Sequence, residues 1–250
     1  MKIAIGYQVI NKPWGGGNSF VKNLIQKLIK EKFEITFNLH DKNIDFILII
    51  DPRKYIKNIP FSTGKILRYL LFKNNEAIVI HRINECDQRK KTLFMNFRLR
   101  VANYVSDHTV FVGSWLKNLN VYLDSNLNKN SVILNGSDTQ IFNNIGHKKW
   151  DKKSPIRLVT HHWSGNFMKG FDVYQYLDNL LEENMWKNKI EFTYIGNLPK
   201  NFKFKNARYL KPLNASNLAK ELRLHHVYVT GSINEPGGNH QNEGGMCGLP

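Results

Sequence analysis

The sequence predicts an α/β protein of two domains, each built on a parallel sheet. Three observations predict it. Short, continuously apolar strand segments alternate with amphipathic helical segments, which is how a sheet buried on both faces reads. The alternation stops at a polar stretch and then starts again. The glycines, histidines and carboxylates that do not fit it collect just after the strands, where the loops of such folds bind ligands.

The elements follow in order. KIAIGY (2–7) is a short buried strand, and the loop QVINKPWGGG follows it. From Asn18 onward Phe20, Val21, Leu24, Ile25, Leu28 and Ile29 line one helical face, with Lys22, Lys27 and Lys30 elsewhere. FEITFNL (33–39), DFILII (45–50) and EAIVIH (76–81) are strands, and a helical segment runs over 88–103. HTVFV (108–112) is a strand, Ser114 is placed to cap the helix SWLKNLNVYL, and SVILN (131–135) closes this half. NNIGHKKWDKKSP (143–155) is polar and basic and reads as a linker, which gives domains of residues 1–150 and 151–250. The second alternation comprises IRLVTHH, a helix from about Gly170 to Asn184, IEFTYIG, a helix from about Asn214 to Leu224, and HVYVTG.

Composition narrows the function. The 250 residues are 42% hydrophobic and 12% aromatic, enough for buried cores. A formal charge of +16 points to anionic partners: nucleotide phosphates, an acidic membrane surface or nucleic acid. Nucleic acid has only the charge in its favour, since neither a zinc finger nor an RNP-type motif is present. Two distant cysteines, Cys86 and Cys247, argue against a disulfide scaffold or a zinc site and fit a reducing compartment. No apolar run approaches the roughly 20 residues of a spanning helix, so membrane contact would be peripheral.

Three motifs carry chemistry. WGGGNSF (14–20) sets Gly15, Gly16 and Gly17 at a helix start, as a structural turn or a phosphate cradle would; neither G-x-G-x-x-G nor G-K-S/T is present. HHWSGNFMKGFDVY (161–174) puts Lys169 at a helix entry, where it can neutralise a diphosphate, and Ser164 in the loop before it. His161 and His162 lack further ligands at metal spacing on that element. EPGGNHQNEGGMCG places Glu235 in a loop and Glu243 in the early turns of the next helix. Glu243 can take both hydroxyls of a ribose, and Glu235 can face sugar hydroxyls or an anomeric carbon. Spacing alone decides nothing, because Glu183 and Glu191 stand equally far apart in ordinary sequence.

Together these residues resemble the family 4 retaining glycosyltransferases of the GT-B fold. Glu235, Gly238, Glu243, Cys247, Gly248 and Pro250 match that family's E-G-F-G-x-x-x-x-E-A-x-x-C-G-x-P pattern. Gly15 to Gly17 look like its amino-terminal glycine loop, and His81 like its histidine after a mid-domain strand. HTVFVGSWLK is similar to its segment with a serine after a strand. Asn135, Gly136, Asp138 and Phe142 look like its V-I-x-N-G-V-D-x-x-x-F segment, and Lys169, Gly170 and Asp172 like its K-G-x-D segment. The chain departs from the family in having Asn239, His240, Gln241 and Asn242 between the glutamates, and HHWSGN where a basic residue often stands.

The resemblance implies a GT-B-like α/β fold, two Rossmann-like domains facing a cleft, with the second incomplete because the family continues past Pro250. It implies a cytoplasmic enzyme, peripheral at the inner membrane face, that moves a sugar from a nucleotide-diphosphate donor to a glycan or lipid-linked acceptor with retention. No metal or cofactor is expected, and no nucleic acid partner. Glu235 and His81 would be catalytic. Glu243, Lys169, Gly15, Gly16, Gly17, Asn239, His240 and Ser164 would bind the donor. The alternative is a non-catalytic or truncated nucleotide-sugar-binding protein.

Overall fold

The computed structural model describes residues 1–11, 15–53, 56–123 and 129–250. They form two compact units, Met1–Leu134 and Asn135–Pro250. Each has its own sheet, and every strand pairing is parallel.

The first unit runs β1 (Lys2–Ile5), α1 (Gly16–Lys30), β2 (Glu34–Thr36), β3 (Phe46–Ile49), α2 (Thr63–Phe72) and β4 (Ile78–Ile83). It continues with α3 (Asp87–Lys90), α4 (Met95–Asn103), β5 (His108–Phe111), α5 (Ser114–Lys117), α6 (Asn120–Leu123) and β6 (Asn130–Val132). The sheet order is β2-β1-β3-β4-β5-β6, a doubly wound order that reverses between β1 and β3. The apolar strands are buried from both sides. Ile3, Ile5 and Val21 pack on one core cluster, and Ile47, Ile49, Ile66 and Tyr69 on another.

Three expectations need correction here. The 88–103 helix is broken, because Lys91 and Phe94 adopt left-handed backbone (φ 52° and 66°). The Asp87 carboxylate bridges the break, accepting the Met95 and Asn96 N–H groups at 2.8 and 3.0 Å. The SWLKNLNVYL helix is two short turns, and Gly113 rather than Ser114 occupies the cap position, without a side-chain cap bond. β4 begins and ends two residues later than 76–81, since Arg82 and Ile83 still pair with Val110 and Phe111.

The second unit contains β7 (Ile156–His162), a 3-10 turn (Phe167–Lys169), α7 (Phe171–Leu180), β8 (Ile190–Gly196) and β9 (Arg208–Leu210). α8 (Ala215–Leu222), β10 (Val227–Tyr228) and α9 (Asn239–Met246) complete it. Its sheet order is β10-β7-β8-β9, which reverses between β7 and β10. The boundary falls at Leu134/Asn135, before the 143–155 stretch. Phe142 is in the second unit's core with Val159 and Leu222, and Arg223 donates to the Ile141 and Asn143 carbonyls. The basic stretch is thus fastened to α8 instead of standing between the units.

Candidate functional site

In a doubly wound sheet the crevice for ligands opens at the carboxyl ends of the two strands that flank the reversal. In the second unit these are β7, ending at His161 and His162, and β10, followed by Val229 to Gly238. Lys169 follows β7, and Glu235 follows β10.

Two loops are stitched together to make the site. The Ile233 N–H donates to the Met168 carbonyl at 3.0 Å, and the Gly231 N–H to the Tyr174 hydroxyl at 3.2 Å. Gly170 allows the close approach: its φ is 91°, and a Cβ there would lie 2.4 Å from the Gly231 backbone. Gly170→Ala is therefore expected to destabilise the protein by at least about 2 kcal/mol, combining the left-handed penalty with overpacking. A denaturation midpoint equal to the parent's would contradict that apposition.

Across this seam Lys169 Nζ donates to Glu235 Oε2, with both side chains nearly buried (11% and 13% exposed). A second pair lies on the α9 side. His161 Nε2 is 2.7 Å from Glu243 Oε2, and His161 Nδ1 is 3.1 Å from the Tyr228 hydroxyl. With Nε2 facing the carboxylate, Nδ1 faces the Tyr228 hydroxyl. Tyr228 thus fixes His161, and His161 fixes Glu243. α9 reaches β10 because Gly244 carries no side chain; a Cβ there would meet the Tyr228 ring at 2.5 Å.

Between the two pairs the His162 and His240 rings lie 4.6 Å apart. His162 Nε2 is 2.6 Å from the Tyr174 hydroxyl. Burial, and then the charges of His240, Lys169 and His161, depress the His162 pKa well below the ordinary imidazole range. This ring stays neutral and acts as scaffold. Sequence reasoning left His161 without a role; its position at the end of an apolar strand was the available signal.

The remaining second-unit candidates sit around these pairs. Ser164 Oγ accepts the Asn166 N–H at 3.2 Å and shapes the loop after β7. Asn239 opens α9, and its Oδ1 is buried without a hydrogen-bond partner among the described residues. The Glu235–Glu243 segment is held from Asn135, whose amide donates to the Gly237 carbonyl at 3.0 Å and whose own carbonyl accepts from Asn242 at 2.8 Å. The VILNGSD segment therefore braces the segment that carries the two glutamates.

The other candidates belong to the first unit. Gly15 is the N-cap of α1 without a side-chain bond, and Gly16 and Gly17 form its first turn. Open space surrounds the position of a Gly17 Cβ. Trp14 of the WGGG motif lies outside the described residues. His81, the last residue of the expected 76–81 strand, lies inside β4, fully buried and paired in register with Thr109. Its Nδ1 meets Asn103 Oδ1, and its Nε2 has no partner among the described residues. Burial lowers its pKa to about 4, against smaller opposing effects of Asn103 and Asp51. Beside it Arg82, also missed from the sequence, stacks its guanidinium 3.8 Å above the Phe20 ring. Glu85 follows β4; burial alone would raise its pKa, but Arg89, Lys90 and Arg53 outweigh burial and lower it.

Among the described residues no group of three or more His, Cys, Asp and Glu side chains is arranged to hold a metal ion. No protein-family model matches the chain, and no curated protein matches it. Solved structures do. The sucrose-phosphate synthase of Thermosynechococcus elongatus is 12% identical with a TM-score of 0.65, covering 100% of this chain and 80% of its own. HepE of Anabaena, solved with UDP and glucose, is 10% identical with a TM-score of 0.64 and coverages of 100% and 79%. The lipopolysaccharide outer core galactosyltransferase WaaB is 12% identical with a TM-score of 0.65 and coverages of 100% and 79%. At such identity the likeness speaks for architecture: the chain has the GT-B fold, two Rossmann-like α/β units in series.

Proposed function

We propose that the chain is a glycosyltransferase, moving a sugar from a nucleotide-diphosphate donor to a glycan or lipid-linked acceptor with retention of configuration and without a metal ion. The observation that carries this reading is the pair of carboxylate contacts, Lys169–Glu235 and His161–Glu243, gathered around His162 and His240 where the second sheet reverses. The HepE structures with UDP and with UDP-glucose support a donor of this class. Free, buried Cys86 and Cys247 suit a cytoplasmic enzyme.

In this reading Lys169 neutralises the leaving diphosphate, the main electrostatic task of the reaction. A diphosphate shares Lys169 with Glu235, and Glu235 orients the ammonium while its charge faces the sugar carbon as positive charge develops there. Glu243, already held by His161, takes the ribose hydroxyls. Asn239 Oδ1, His240 and Ser164 contact the donor. In the first unit the proposal gives Gly15, Gly16 and Gly17 an anionic part of the donor. It gives His81 Nε2, a buried nitrogen without a partner among the described residues, a contact at the reacting sugar.

The two glutamates are separable. Glu243→Gln replaces a charge-assisted hydrogen bond with a neutral one, so donor affinity should fall by about 5- to 30-fold with turnover nearly unchanged. Glu235→Gln should lower turnover and leave nucleoside diphosphate binding nearly intact. Calorimetry with the donor and an assay of nucleoside diphosphate release separate the two effects. Equal affinity and rate in both variants would return these residues to solvated loop acids. Donor binding without release, across glycan and lipid-linked acceptors, would favour the non-catalytic binding protein.

A further inference from the structure

The second unit has a cavity at the opposite end of its sheet from the donor crevice. β7 begins at Ile156, and His226 stands immediately before β10, so the length of β7, about 20 Å, separates this end from the crevice. The cavity measures about 410 Å³, within the range of small-molecule sites. Asn144, His147, Lys149, Trp150, His226 and Gly248 are among the residues that line it. The wall is held in place. Asp151 accepts the Lys153 N–H at 2.9 Å, the Ser154 N–H at 2.8 Å and the Ser154 hydroxyl at 2.7 Å. That turn sets the Ser154 carbonyl where Trp150 Nε1 donates to it at 2.8 Å, which fixes an indole that is 40% exposed. His147 Nε2 lies 3.1 Å from the His225 carbonyl, which can only accept, so Nε2 carries a proton. His147 Nδ1 stands beside Gly248, where a Cβ would come within 2.9 Å of it. A glycine at 248 keeps that nitrogen uncovered.

The buried side of the cavity is short of acceptors. His226 is 6% exposed, and both of its ring nitrogens face donors. The Arg157 N–H meets Nδ1 at 3.0 Å, and the Arg157 guanidinium meets Nε2 at 3.0 Å. An imidazole carries at least one N–H, so one of these contacts sets two donors against each other. Arg157 Nε is itself buried without a hydrogen-bond partner among the described residues. Of the acids that act on His226, Asp151 is engaged by Lys153 and Ser154, and Glu191 is exposed. Lys149 is exposed and makes no ion pair among the described residues. We propose that this cavity binds a phosphorylated sugar. The phosphate accepts from Lys149 and supplies the acceptor that His226 and Arg157 lack. The C–H face of the sugar covers Trp150, and its hydroxyls pair with the Asn144 amide and donate to His147 Nδ1. Inorganic phosphate would leave the indole and the amide uncovered, and an uncharged sugar would leave the opposed donors as they are. The proposal stands independently of the donor site.

Calorimetric titration of the full chain tests it, with glucose 6-phosphate, glucose 1-phosphate and fructose 6-phosphate as probes and with glucose and inorganic phosphate as controls. At least one probe should bind saturably, at least about tenfold more tightly than either control. Lys149→Gln should weaken that binding at least about tenfold by removing a charge-assisted hydrogen bond. Trp150→Ala should weaken it about tenfold by removing the apolar face. Both side chains are exposed, and denaturation midpoints matching the parent's confirm that the variants fold. The proposal is overturned if none of the three probes binds, or if inorganic phosphate or glucose binds as tightly as they do. It is equally overturned if the Lys149→Gln and Trp150→Ala variants bind the probe like the parent, because the probe then occupies another place on the protein.

Discussion

Lys169→Ala is expected to slow sugar transfer by about 10²–10³-fold, the loss typical when one preorganised donor to a developing anion is removed. The lysine is fixed from three directions. The 3-10 turn sets its backbone, Gly170 joins that turn to the Gly231 loop, and Glu235 receives its ammonium. Removing it also takes the ammonium away from Glu235, a nearly buried carboxylate, so stability should drop by about 3 kcal/mol. Lys169→Ala with Glu235→Gln should recover much of that stability and none of the rate. Steady-state kinetics and denaturation of the two single variants and the double variant separate these effects. A rate equal to the parent's would remove Lys169 from the chemistry, whatever happened to stability.

The second large effect is acid sensitivity. His81 and His162 are neutral in the folded protein across the range in which an unfolded chain protonates its histidines. Below pH about 6.5 the unfolded state therefore binds more protons, and stability falls as pH drops towards about 4. With its pKa lowered to about 4, His81 alone should cost about 2 kcal/mol at pH 5 relative to pH 7. His81→Asn removes that titration. It should be less stable than the parent at pH 7, and the gap should narrow by about 2 kcal/mol at pH 5. Denaturant midpoints at the two pH values check this; a constant gap would show that His81 titrates normally.

How much of this was legible in the sequence depended on what each residue's neighbours are. The apolar strands were readable because burial on both sides leaves no polar alternation; the strand order and the reversal in each sheet come from the structure. α2 was overlooked although Ser62 caps it by accepting the Lys65 N–H, because its outer side is as apolar as its inner side and blurs the helical period. β9 is three residues at a sheet edge, too short to have a pattern. Glu235, Glu243 and Lys169 stood out by motif. That Lys169 meets Glu235, and that His161 holds Glu243, depends on contacts 66 and 82 residues apart in sequence, beyond any local signal. His81 was placed in its strand from the sequence, but that the strand continues two residues past it, leaving it fully buried, was not legible there.

The central claim is that the second unit's β7–β10 crevice receives a nucleotide diphosphate against Lys169. Calorimetric titration of the full chain with uridine, adenosine, guanosine, cytidine and thymidine diphosphates tests it most directly. The account predicts saturable binding of at least one of them, weakened about tenfold or more by Lys169→Ala and weakened by rising salt. Absence of binding for all five, or binding that Lys169→Ala leaves unchanged, would contradict it.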